Sequence, residues 1–163
     1  MGFFKKESRD VPQANSAEKE AIIKEEIKNI LTKLLELKNI QDSIMAEATE
    51  RSSEEISIAR KNSERLILLI ERATLLNNPI VQYNASKFLG ESESTTKRIQ
   101  EELDDAIAQI IQKTQGKALT PEQQLNINNL RYKKAGVFIA EDNESGLKDE
   151  VSFLKKSIEK AGF

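Results

Sequence analysis

The sequence predicts an all-α protein: an elongated helical bundle or antiparallel coiled coil built on one very long N-terminal helix. Three observations carry this expectation. Neither proline nor glycine occurs between Pro12 and Pro79, so no residue in that stretch breaks a helix. Apolar residues within it recur at alternating steps of four and three, the repeat of a helix that buries one stripe. The composition is lean, 38% apolar against 32% charged and 5% aromatic with no tryptophan, which suits extended helix packing better than a deep compact core.

Taken in order, residues 1–15 read as a flexible N-terminal tail, and 16–163 as a single helical domain, because no Gly/Ser- or Pro-rich linker divides them. The long helix is expected over about 16–77, on the order of 90 Å at roughly 1.5 Å per residue. Its seam is Ile23, Ile27, Ile30, Leu34, Leu37, Gln41 and Ile44. These are the candidate interface residues, with Gln41 as a candidate register determinant, since a polar residue in a seam costs stability but restricts pairing. A second series, Ile56, Ala59, Ser63, Leu66, Ile70 and Ala73, is out of phase with the first by one residue.

Two readings of that shift stand side by side. An extra residue locally unwinds a supercoil and leaves the helix continuous. Alternatively, Ser52-Ser53-Glu54-Glu55 is a capping box that starts a new helix at Ser52. Continuity is the expectation, because Ala48 to Ser53 contains no glycine or asparagine to take the left-handed conformation of a tight helical turn.

Returning helices are expected over about 79–115, 121–138 and 146–161. Asn78-Pro79 supplies a cap and a first-position proline, and Gly116 a stop. Gly90 and the polar tract after it interrupt or end the first of these helices. Thr120-Pro121-Glu122-Gln123 combines N-cap, proline and capping-box glutamine. The conformation of Gly136-Val137-Phe138-Ile139-Ala140 is open, a last helical turn or an extended segment. Leu147, Val151, Leu154 and Ile158 define the last helix, with acids near its start and lysines near its end as the helix dipole favours. The run Leu66 to Ile70 is apolar on nearly every side, so it needs more than one neighbour, internal or external.

The chain has no cysteine and no histidine, which removes disulfides, thiolate and histidine metal sites, and Ser-His or Cys-His nucleophiles. The 25 basic and 27 acidic residues are mixed along the chain, so no basic stripe suits nucleic acid. No apolar run approaches the roughly 20 residues of a membrane span. The sequons at Asn84 and Asn143 carry little weight without a secretory signal.

The reading that follows is a non-enzymatic structural or adaptor protein, an assembly scaffold or spacer acting through coiled-coil packing and self-association. It is expected to be cytoplasmic and homo-oligomeric, with an unidentified protein partner and no cofactor. The alternative is a peripheral membrane regulator, in which Phe3, Phe4, Lys5 and Lys6 form a weak interfacial anchor of rings and ammonium groups. A remote third is a Mg-dependent all-α nucleotide pyrophosphatase using Glu47 and Glu50 with the acidic run Glu101 to Asp105.

Overall fold

The computed structural model describes the backbone of residues 2–163 and the side chains from Glu18 onward. Its elements are α1 (Gly2–Ala46), α2 (Ser53–Leu76), α3 (Pro79–Lys87), α4 (Glu93–Lys113), α5 (Pro121–Asp142) and α6 (Leu147–Lys160), with no strand among the described residues. The expected tail over 1–15, with its candidate membrane contacts Phe3, Phe4, Lys5 and Lys6, lies outside the residues whose side chains are described.

The single helix expected over 16–77 is two helices. Helical hydrogen bonding ends where the Glu47 N–H is shared between the Ser43 and Ile44 carbonyls. Ser52 is then extended at φ −69°, ψ 155°, and its Oγ accepts from the Glu55 N–H at 3.2 Å. The cap forms without the reciprocal half of a capping box: the Glu55 carboxylate accepts instead from Arg51 Nη1 at 3.3 Å. No residue between Ala46 and Ser53 has positive φ. The turn over residues 47–51, in which the Glu47 carbonyl accepts from the Glu50 and Arg51 N–H groups, and the extended Ser52 together turn the chain without a left-handed glycine or asparagine. The one-residue phase shift between the two apolar series marks this break.

α1 and α2 pack along each other as an antiparallel pair. Ser63 Oγ donates to Asp42 Oδ1 across the pair at 3.2 Å. The Asp42 carboxyl is held below its ordinary range, first by the hydrogen bond from Lys38 and, against a smaller opposing effect of burial, by the one from Ser63 and the Lys38 charge. α6 lies against the N-terminal half of the described α1, where Lys155 Nζ meets Glu26 Oε2 at 3.0 Å.

The returning segment 79–115 is also divided. Asn78 Oδ1 accepts from the Ile80 and Val81 N–H groups at 2.9 and 3.4 Å, with Pro79 opening α3. α3 stops at Lys87. Gly90 takes a left-handed φ of 86°, a conformation that residues with a Cβ rarely adopt, and Ser92 caps α4 by accepting from the Thr95 N–H. α3 packs on α5 far more than back on α2. α4 packs antiparallel to α5, fastened by Lys134 to Asp104 at 2.7 Å and by Gln100 Nε2 donating to Glu141 at 2.7 Å.

The capping box at Thr120 is complete. Thr120 Oγ1 accepts from the Gln123 N–H at 3.1 Å, and Gln123 Oε1 accepts from the Thr120 N–H at 3.0 Å. The open segment 136–140 is helical, within α5. Gly136 explains how: a Cβ there would lie 2.6 Å from both Asn84 Cβ and the Val81 carbonyl oxygen. Here glycine permits α3 and α5 to touch, and does not break the helix.

One core cluster joins Ile27, Ile30 and Leu34 of α1 to Leu66, Ala73 and Leu76 of α2, Val81 and Ala85 of α3, Ile139 of α5, and Leu147, Val151, Leu154 and Ile158 of α6. α4 contributes nothing to it. Leu103 of α4 and Ile127 of α5 are buried outside this cluster.

Two measurements check this description. Gly136→Ala gains helix propensity of about 1 kcal/mol but forces a Cβ into backbone, an overpacking of roughly 1–3 kcal/mol. The expected net outcome is a lower denaturation midpoint, and a raised one would show that α3 and α5 do not touch there. NMR titration of Asp42 is expected to give a midpoint below the ordinary carboxylate range that rises in Lys38→Met. A depressed folded-state value means that its contribution is complete above the unfolded pKa and is lost as pH falls through the folded one.

Candidate functional site

Helical geometry sets the site by exclusion. Leu66 is fully buried, and Leu68, two residues on and about 200° around the helix, is 68% exposed. On α5, Val137 and Ile139 turn inward while Phe138 between them is 57% exposed. These two side chains stand on opposite walls of an apolar groove of ≈ 710 Å³ between α2 and α5, lined further by Leu75, Leu76, Ala135 and Ile139. The run Leu66 to Ile70, which needed covering on several sides, is thus covered on one side only.

A polar clasp closes one side. Glu150 of α6 is buried, and its Oε2 accepts from Arg72 Nε at 2.9 Å and Nη2 at 2.7 Å. Its Oε1 accepts from Asn143 Nδ2 at 3.1 Å. The Arg72 guanidinium lies 4.1 Å from the centroid of the Phe153 ring, so one cation joins α2 to α6 by charge and by stacking. Two further charges line the groove, Glu71 on the α2 wall and Arg131 on the α5 wall. Both are exposed, and neither makes an ion pair among the described residues. Lys134 is occupied by Asp104.

The seam residues named from sequence fall elsewhere. Ile27, Ile30 and Leu34 are buried in the chain's own core, and Ile23, Leu37, Gln41 and Ile44 are half-buried on α1. Ile23 and Ile30 border clefts against α6. The acidic groups stay apart: Glu47 pairs with Arg51 beside the α1–α2 turn, and Asp104 pairs with Lys134. No cluster of three or more acidic side chains able to hold a metal ion occurs among the described residues. Neither sequon offers a free amide, since Asn84 is 3% exposed and Asn143 is bonded to Glu150 and to the Ile139 carbonyl. No helix among the described residues is long and apolar enough to cross a membrane.

Sequence reasoning passed over Phe138, Phe153 and Arg72. A signal existed for the aromatics: Phe153 stands off the stripe Leu147, Val151, Leu154 and Ile158, and Phe138 stands between two core residues. An aromatic off the buried stripe is surplus to the core. The Arg72–Glu150 pair carried no such signal, because the partners are 78 residues apart. Comparison with known proteins finds no matching family model, no similar curated protein and no similar solved structure.

The clasp can be tested by stability. Arg72→Ala strips two hydrogen bonds from a buried carboxylate and uncovers Phe153. With the Arg72 side chain 42% exposed, the expected cost is about 1–2 kcal/mol, below the 3–5 of a fully buried pair. Arg72→Met, which restores apolar cover but no charge, is expected to recover part of it. Urea midpoints of both variants equal to wild type would mean that solvent screens the pair completely.

Proposed function

We propose that this chain is a non-enzymatic assembly or adaptor protein, a scaffold or spacer that acts through helix packing and self-association. The observation that supports this best is the α2–α5 groove: two large apolar side chains, Leu68 and Phe138, stand more than half exposed on its walls. Contiguous exposed apolar surface with a polar rim marks interaction sites, and helix faces that form grooves accept other helices. On this reading the α1–α2 pair is an antiparallel coiled-coil-like arm of an elongated bundle. Ile27, Ile30 and Leu34 serve as its internal seam, and Gln41 restricts its register.

Sedimentation equilibrium on the purified chain is the direct test. A self-associating scaffold gives an average mass that rises with concentration over roughly 1 to 100 μM, the range in which a micromolar homo-oligomer becomes populated. A mass equal to one chain throughout that range would remove self-association from the proposal.

A further inference from the structure

We infer that the α2–α5 groove is the surface through which two copies of this chain pair about a twofold axis. This rests on the reading of the chain as self-associating and adds the face, the symmetry and the contacts.

Charge placement selects the occupant. Glu71 and Arg131 are exposed, lie on opposite walls of one groove, and make no ion pair within the chain among the described residues. A ligand helix of one charge sign would satisfy one of them and repel the other. A second copy satisfies both, because in a twofold interface residue i meets residue j and j meets i. Glu71 of each copy then faces Arg131 of the other, and one contact is made twice.

Shape agrees with charge. Each copy presents two apolar knobs, Leu68 and Phe138, and a groove of ≈ 710 Å³ to receive them, with Leu75, Leu76, Ala135 and Ile139 beneath. A surface that carries both protrusions and a recess meets the first requirement of a twofold interface, in which the same patch must supply both sides. The clasp beside it reinforces the match: the Arg72–Glu150 pair already neutralises the buried carboxylate, so a second copy covers the groove without stranding an unpaired buried charge. Phe153, held under the Arg72 guanidinium and half exposed, widens the apolar surface at the same edge.

Sedimentation equilibrium and mixing of charge-reversed chains test the pairing together, with helical circular dichroism confirming that each variant folds. Wild type is expected to form a dimer. Leu68→Glu and Phe138→Glu, at exposed positions that the core does not use, are each expected to weaken it by roughly 10-fold or more. Glu71→Arg alone and Arg131→Glu alone each set like charges together twice and are expected to weaken it by about 10-fold. An equimolar mixture of the two charge-reversed chains is expected to restore dimer as a heterodimer, since the two substituted side chains then meet as an opposite-sign pair at one contact and the native Glu71 and Arg131 meet at the other. Dimerisation of wild type with no effect of these substitutions would overturn this face and leave self-association standing. Weakening by the single reversals without rescue in the mixture would overturn the twofold geometry. A monomeric wild type would overturn both the pairing and the self-association on which it rests.

Discussion

The stripe Ile27, Ile30 and Leu34 on α1 is the contact on which the rest depends. Those three residues bury against α2 and α6 together, within a cluster that also takes side chains from α3 and α5. Truncating a fully buried leucine or isoleucine typically costs about 2–5 kcal/mol, a large share of the roughly 5–15 kcal/mol by which domains are stable. The long reach from α1 to α6 closes the chain on itself, so the last helix is a structural partner of the first. α4 is attached differently: it packs chiefly on α5, with Leu103 buried and two polar contacts between them. Elements outside the main cluster are the ones held by few apolar contacts, and local opening begins at such elements.

The groove is a consequence of that arrangement. α1 and α6 cover one face of α2, and α3 and α4 cover two faces of α5, which leaves the facing sides of α2 and α5 apart. Helical rotation then decides which residues line the gap. Leu68 follows Leu66 by two positions and so points away from the core, and Phe138 is flanked by two residues that point into it. The clasp of Arg72, Glu150, Asn143 and Phe153 holds the edge of this gap from α6. It unites residues from α2, α6 and the turn before α6 in one hydrogen-bonded unit.

Local signals were legible where short-range chemistry settles them. Thr120 with Gln123 and Asn78 with Pro79 are caps whose geometry involves neighbours in sequence only. At Ser52 the sequence carries both outcomes, a phase shift within one helix and a cap that opens a second, and the absence of a glycine or asparagine favours the first while the chain takes the second. The short turn over residues 47–51 followed by an extended serine cap does the work of a left-handed residue when the second helix can lie along the first. Gly136 left its segment open between helix and extended chain: glycine lowers helix propensity, yet α5 runs through it because α3 sits against its bare Cα. Of the site, the apolar excess at Leu66 to Ile70 could be seen, while its pairing with Phe138 and the role of Arg72 could not.

By itself, then, the sequence determined helical class, the helix starts at Pro79, Pro121 and Leu147 and part of the buried stripe of α1, since these follow from residue period, capping chemistry and backbone sterics within a few turns. Tertiary structure alone decided that the breaker-free span folds back on itself at Ser52, that α3 leaves α2 for α5, and that Leu68 and Phe138 face each other across open space. Those outcomes turn on which apolar faces cover which, and contacts such as Arg72 with Glu150 join residues far apart along the chain, where no local period records them.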